Sequence, residues 1–195
     1  MHSGTGNPRE HGFTLVELMV VVVIGAILAV VAVPSLQAAM QANQLDTVSN
    51  QLLAALATAR SEAVRAPGAT VLVSNPLGTG VNWNNGWTTT TQTGTAAATT
   101  LQAPAAVPGQ VTVNSNFGGP VSFDAMGRLI LGTANPPPTL VFVICADGTT
   151  LAGKSRAVIV SPSGRASIAH IPTTGTNAGI PILDTGAGVQ SCAAP

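Results

Sequence analysis

Residues 12–34 read GFTLVELMVVVVIGAILAVVAVP, and this stretch decides the fold of the chain. Residues 18–33 carry no charge, and residues 13–16 extend the apolar run across Glu17. Together they approach the ~20 residues with which a helix spans a bilayer. A carboxylate at the centre of a bilayer costs about 2.5 to 3.5 kcal/mol, so we expect Glu17 to have a partner and a function.

A secretory signal peptide is the ordinary alternative for an apolar segment near the start of a chain. Two features of this segment argue against it. The carboxylate of Glu17 lies inside the apolar run, and the run continues past Pro34 into a one-sided helix instead of ending in small residues. We therefore expect residues 13–34 to form a membrane-inserting helix.

Residues 35–66 change from a uniformly apolar pattern to a one-sided one. Apolar residues recur at spacings of three and four, which predicts a helix face that packs on a domain. These residues are Leu45, Val48, Leu52, Leu56, Ala59 and Ala63. The Pro-Gly pair at 67–68 cannot continue a helix. A helix that starts at Phe13 is thus expected to end near Ala66, with a bend near Pro34.

Beyond residue 67, short apolar and β-branched runs alternate with turn residues, which predicts an antiparallel sheet. The predicted strands are residues 70–74, 111–114, 121–123, 129–131, 140–145, 157–161 and 166–171. Residues 162–164 are expected to form a hairpin connector, and Asp147 and Gly148 begin another turn. Residues 88–108 are uncharged and rich in Thr, Ala and Gly, so we expect a long loop or an irregular edge. The predicted fold class is α+β, with the long N-terminal helix packed on antiparallel β-sheet.

Residues 12–18 (GFTLVEL) resemble the prepilin cleavage and methylation signal of type IV pilins and type II secretion pseudopilins. The resemblance implies a leader that a prepilin peptidase cuts off after Gly12, and N-methylation of Phe13. It also implies that the apolar helix stays in the mature subunit. The family pattern carries a Glu four residues after the new N-terminus and a Pro that kinks the helix, and Glu17 and Pro34 match both.

The chemistry of Glu17 can also be argued from the residue itself. Cleavage would make Phe13 the N-terminus, and an α-amino group is mostly cationic at neutral pH. Four residues of helix rise by about 6 Å, so Glu17 can neutralise its own amine or that of a neighbouring subunit. Burying two opposite charges together costs less than burying either alone, so a pair between subunits would set the register of each added subunit.

Three C-terminal stretches carry a second resemblance. Residues 121–128 (VSFDAMGR), 142–148 (FVICADG) and 160–165 (VSPSGR) are similar to the GspH/FimT family of minor pilins and pseudopilins. A Cys after the second stretch's apolar strand and another near the C-terminus are most similar to FimU-type minor pilins. The resemblance implies other minor and major pilins or pseudopilins as partners. It also implies a place in the bacterial inner membrane, with the domain in the periplasm, and then in a pilus or pseudopilus.

Four segments are therefore expected in the chain. They are the leader (1–12), the transmembrane and assembly helix (13–34), the amphipathic helix (35–66) and a β-rich domain (67–195). The chain has 2 cysteines, Cys145 and Cys192, and an even count in an exported chain predicts one disulfide. Closing a loop of about 47 residues would contribute about 4 kcal/mol in the loop-entropy description.

An enzyme is not predicted. The chain has 3 His, of which His2 and His11 lie in the leader and leave His170 alone. Neither an H-x-x-E nor a C-x-x-C spacing occurs, so no metal ion, cofactor or catalytic group is expected. Trp83 and Trp87 are expected to be core or loop anchors rather than a contact surface.

DNA is the alternative partner, because some FimT-type members take up DNA through a Gly-Arg-x-Arg motif. The corresponding residues 164–167 read Gly-Arg-Ala-Ser and lack the second Arg. Lys154, Arg156 and Arg165 lie near one predicted hairpin, and phosphate affinity grows with the number of cations. Charged residues make up only 7% of the chain and the net charge is 0, so no overall field attracts nucleic acid. The predicted function is a minor pilin that helps to initiate a type IV pilus, with a type II secretion pseudopilin and a DNA-binding minor pilin as alternatives.

Overall fold

The computed structural model describes residues 13–75, 80–102, 107–132, 136–146, 151–183 and 185–193. The helix is α1 (Leu15–Arg65), and the strands are β1 (Ala69–Ser74), β2 (Thr88–Thr93), β3 (Thr99–Gln102), β4 (Thr112–Ser115), β5 (Val121–Phe123), β6 (Leu129–Leu131), β7 (Leu140–Cys145), β8 (Ser155–Val160) and β9 (Ala166–Ile168). The chain divides into two compact units between Met40 and Gln41. The predicted cleavage residue Gly12 and the predicted turn at Asp147 and Gly148 lie outside the described residues.

The first unit consists of the apolar part of α1. Every described residue from 13 to 40 is exposed, including the long apolar side chains of the run. Among the described residues, α1 is the one helix whose length and composition would let it cross a membrane. Pro34 lies inside α1, which continues to Arg65.

The second unit begins with the one-sided part of α1. All six residues that the spacing predicted to face a domain are buried, and Ser49 and Ala55 join them. Ser49 is a polar residue on this face, and its hydroxyl donates a hydrogen bond of 2.7 Å to the carbonyl of Leu45. Because the hydroxyl is satisfied by the helix itself, the face stays apolar toward the domain.

Two antiparallel sheets complete the second unit. Their strand orders are β3-β2-β1-β5-β6 and β4-β7-β8-β9. One core cluster joins α1 to both sheets, with Leu52, Val73 and Phe142 among its fully buried residues. Trp83 and Trp87 are also buried there, as predicted, and the ring of Trp83 meets Phe142 edge-on at 5.0 Å. The α+β fold class is confirmed.

β7 is buried on both faces. Leu140, Phe142 and Ile144 enter the first core cluster, whereas the alternate residues Val141 and Val143 enter a second cluster. Successive side chains of a strand point to opposite faces, so the two clusters lie on the two faces of the second sheet. The C-terminal part of the chain covers the outer face with Ile180, Leu183, Val189 and Cys192.

The prediction of a long loop at residues 88–108 is wrong, because this stretch contains β2 and β3. β2 pairs with β1 along its whole length, from Ala69 opposite Thr93 to Ser74 opposite Thr88. Threonine is β-branched and suits a strand, but a run of Thr lacks the apolar alternation by which a strand is recognised. The expectation of an irregular edge is closer, since β3 is an edge strand and its register with β2 shifts between Thr89 and Thr90.

The other strands agree with the predictions within a few residues. β5, β6 and β7 have the predicted bounds, whereas β8 begins at Ser155, two residues earlier than predicted, because Ser155 pairs with Cys145. The predicted connector at residues 162–164 joins β8 to β9. There the amide of Gly164 donates a 2.8 Å hydrogen bond to the carbonyl of Ser161, and Gly164 has a φ of 77°.

Candidate functional site

The start of α1 is capped by Thr14. The hydroxyl oxygen of Thr14 accepts a hydrogen bond of 3.2 Å from the backbone amide of Glu17, and its carbonyl accepts one from the amide of Leu18. This satisfies one of the backbone donors that a helix leaves free at its N-terminus. Thr14 was not among the residues predicted from the sequence, although the spacing T-x-x-E at residues 14–17 is the signature of a capping box.

Glu17 lies in the first turn of α1, and its side chain is exposed. It forms no ion pair with any residue that the structure describes. From residue 13 to residue 45 it is also the only charged residue of the sequence. An acidic side chain is favourable at a helix N-terminus, but this carboxylate is left without a cation inside a long apolar surface.

The predicted disulfide between Cys145 and Cys192 is present, with the Cα atoms 6.1 Å apart. Both cysteines are buried in the core cluster on the outer face of β7. The side-chain amide of Asn114 donates a hydrogen bond of 2.7 Å to the carbonyl of Cys192. The disulfide and this hydrogen bond hold the C-terminal part of the chain against the second sheet.

Arg60 of α1 joins two turns of the domain. Its Nε donates a hydrogen bond of 2.9 Å to the carbonyl of Gly127, and a terminal nitrogen donates one of 3.3 Å to the carbonyl of Ser163. The amide of Leu129 also donates to the carbonyl of Pro162 at 3.1 Å. Two of the stretches that resemble the GspH/FimT family, residues 121–128 and 160–165, therefore meet at one arginine.

Arg60 was not among the residues predicted from the sequence, because no local pattern marks it. Its two partners lie 67 and 103 residues further along the chain. Gly127 and Gly164 lie beside Arg60, where the two turns meet. A Cβ added to Gly164 would stand 1.8 Å from the carbonyl oxygen of Gly127. No residue with a Cβ fits at position 164, because the backbones of the two turns are in contact there.

The three residues considered for DNA binding are not brought together. The Nε of Arg156 donates a 2.7 Å hydrogen bond to the carboxylate of Asp46 in an ion pair. Lys154 precedes β8, whereas Arg165 follows the turn at its other end. A strand of this length spans about 20 Å, so Lys154 and Arg165 lie at opposite ends of the second sheet.

The described acidic side chains of the second unit are all paired. The pairs are Asp46 with Arg156, Glu62 with Arg65, and Asp124 with Arg128. The guanidinium of Arg65 lowers the pKa of Glu62 through a hydrogen bond from Nε at 2.9 Å. The pKa of Asp124 is lowered chiefly by the backbone amide of Arg128, which donates to it at 2.8 Å.

No group of three or more His, Cys, Asp or Glu side chains that could hold a metal ion occurs in the described part of the chain. His170 is exposed and pairs through an isolated bridge with Ile182. The described residues thus form an apolar, exposed helix with one carboxylate, Glu17, that they leave unpaired, and a disulfide-closed domain of two sheets.

A long helix with an apolar, exposed first part, continued into a domain of antiparallel sheets, is the fold of a type IV pilin. The family model described as Type II transport protein GspH matches residues 48–164, which is more than half of the chain. The chain belongs to the GspH family. The prokaryotic N-terminal methylation motif matches residues 7–33.

Among solved structures, the chain is similar to the type IV minor pilin FimU of Pseudomonas aeruginosa PAO1. One crystal form aligns at 23% identity and a TM-score of 0.54, over 77% of this chain and 96% of FimU. A second form aligns at 24% identity and a TM-score of 0.48, over 76% and 99%. The first match supports the same fold. Comparison with curated protein sequences gave no significant match.

Proposed function

We propose that this chain is a minor pilin that helps to initiate assembly of a type IV pilus and stays in it as a non-catalytic subunit. The observation that carries the proposal is the order of its parts. A methylation motif is followed directly by an exposed apolar helix, and then by a GspH domain. This arrangement suits a subunit that is held in the inner membrane and then moves into a filament.

The processing steps follow from the motif. A prepilin peptidase cuts between Gly12 and Phe13, and Phe13 becomes the N-methylated N-terminus. The helix then spans the inner membrane with the domain in the periplasm. Other minor and major pilins are the partners, and packing of apolar helices in the filament removes from lipid or water the side chains that are exposed in the single chain.

Glu17 acts in assembly by pairing with the amine of Phe13 on a neighbouring subunit. Its carboxylate is unpaired among the described residues and is surrounded in sequence by apolar residues. In a low-dielectric filament core, a carboxylate paired with a cation costs less free energy than a lone one. A subunit that enters in the wrong register leaves both charges unpaired, so the pair selects the correct register. Pro34, inside α1, contributes by bending the helix to fit its neighbours.

The test is the substitution Glu17→Ala in the full-length chain, expressed in a deletion strain of the bacterium that encodes it. We expect cleavage after Gly12 to proceed as in wild type, seen as the same mobility on a gel. Incorporation into sheared surface filaments should fall about tenfold, because one buried ion pair is lost for each subunit. Glu17→Asp, which keeps the charge, is the matched control and should retain more incorporation than Glu17→Ala. Unchanged incorporation of Glu17→Ala would overturn the role of Glu17.

A type II secretion pseudopilin is the second candidate, because the matching family model is described as a type II transport protein. The same strains separate the two functions. Loss of the chain lowers the number of surface pili if it is a minor pilin, and lowers the amount of exported protein with unchanged pili if it is a pseudopilin. DNA uptake is the weakest of the candidates, since Arg156 is already paired with Asp46 and Lys154 lies away from Arg165.

A further inference from the structure

Two arginines of the second unit have no carboxylate partner among the described residues. The described acidic residues of this unit, Asp46, Glu62 and Asp124, each pair with a different arginine. Arg60 donates only to neutral backbone carbonyls, and the exposed guanidinium of Arg165 pairs with no described residue. The positive charge of both is therefore not neutralised within the described domain.

Both arginines line the same groove, which has a volume of about 640 Å³. One wall is the flank of α1 and the other is the turn between β8 and β9. Its remaining lining is mostly apolar, with Leu53, Ala57 and Val64 on α1 and Ala166 on β9. Val64 is 48% exposed, so this apolar flank is open to a partner.

We propose that this groove binds a short segment of a neighbouring pilus subunit that presents apolar side chains beside an Asp or Glu carboxylate. The inference rests on the proposed function, because the neighbour it names is another subunit of the filament. Arginine binds carboxylates with two parallel hydrogen bonds, and the apolar lining strengthens the charge interaction by excluding water. Contact with Leu53 and Val64 adds burial of apolar surface.

Charge complementarity and the apolar lining together favour a protein segment over nucleic acid. A phosphate backbone would meet two cations and an apolar surface that it cannot use. Each neutralised phosphate changes the slope of log affinity against log salt concentration by only about one unit. Two arginines, which neutralise about two phosphates, therefore hold DNA weakly at physiological salt. An acidic, partly apolar protein segment uses both the arginines and the apolar wall.

Photocrosslinking from inside the groove tests the proposal in the full-length chain. Ala57, which is exposed and lines the groove, is replaced by the photoreactive residue p-benzoylphenylalanine. The variant is co-expressed with the other pilin-like subunits encoded beside it, and the membranes are irradiated. We expect an adduct with one of those subunits, on a peptide that contains an Asp or Glu when it is read by mass spectrometry.

Variants that change the charge at position 165 then test whether Arg165 binds the carboxylate of that segment. Arg165→Glu should lower the adduct yield about tenfold, since it places a carboxylate opposite a carboxylate. Arg165→Lys keeps the charge and should stay within about threefold of the wild-type yield. Lys154→Glu removes a cation at the other end of β8 and is the matched control, with an expected yield equal to wild type. Reversing the acidic residue found on the partner to Arg should restore the yield with Arg165→Glu.

Three outcomes overturn the groove proposal. They are no adduct with a pilin-like subunit, an adduct with nucleic acid alone, and an adduct whose yield Arg165→Glu leaves unchanged. Recovery of the chain from sheared filaments is measured in the same cells and tests the proposed function separately. If the chain is in the filaments but the adduct fails, only the groove proposal is wrong; if the chain never enters filaments, both are wrong.

Discussion

At the scale of the residue, the junction at Arg60 explains why position 164 is a glycine, which the sequence marks only as a turn residue. Gly164 has a φ of 77°, a conformation that favours glycine, and it also faces the carbonyl oxygen of Gly127 at a distance that no side chain tolerates. Backbone conformation and close approach therefore both exclude other residues at Gly164.

Gly164→Ala is expected to destabilise the domain by about 3 kcal/mol or more, because strain at positive φ adds to a collision with backbone. Gly175→Ala is the matched control, since Gly175 has a φ of 93° but nothing within 4 Å of an added Cβ. It should cost about 1 kcal/mol from strain alone. The free energy of unfolding is measured by urea titration in mild detergent, followed by the fluorescence of the buried Trp83 and Trp87. Equal losses for the two variants would show that the contact with Gly127 does not matter.

At the scale of the element, β7 is a central strand of the second sheet. The disulfide holds the C-terminal part of the chain over the outer face of β7, so the side chains on that face are buried. Without the C-terminal part of the chain, Val141 and Val143 would lie open to water on that face. The cluster that covers them is small, so it relies on the link between Cys145 and Cys192. This link spans 47 residues, which is long enough for a large loss of chain entropy in the unfolded state.

Replacing Cys145 and Cys192 together by Ala should lower the free energy of unfolding by about 4 kcal/mol, in line with the loop it opens. The same urea titration measures it. The matched control is reductant: dithiothreitol should destabilise the wild-type chain and leave the double variant unchanged. If the double variant were as stable as wild type, the C-terminal part of the chain would be held by packing and by the hydrogen bond from Asn114 alone.

At the scale of the whole molecule, the two units differ in how they are stabilised. The second unit has its own core, which includes the buried face of α1 from Leu45 to Ala63. The described residues of the first unit are all exposed and add none to that core. The first unit is thus suited to an apolar environment supplied by lipid or by other subunits, and the second to water.

A chain that begins at Gln41 is therefore expected to fold and to stay in solution without detergent. Its free energy of unfolding should lie within about 1 kcal/mol of that of the full-length chain, because the residues removed are exposed. Circular dichroism and urea titration measure this, with a chain that begins at Gln51 as the matched control. The control lacks Leu45 and Val48 and should lose several kcal/mol. Aggregation of the Gln41 chain would contradict the expectation.

The sequence by itself determined the apolar helix, the one-sided face from Leu45 to Ala63, most strands and the disulfide pair. The helix and the strands could be predicted because the spacing of apolar residues is a local property of the sequence. The disulfide could be predicted because two cysteines allow only one pairing. The tertiary structure alone decided that residues 88–93 and 99–102 pair as strands, that Arg60 joins two turns, and that Arg60 and Arg165 share a groove. Each of these depends on contacts between residues far apart in sequence, and uncharged threonine runs or single arginines carry no local signal of such contacts.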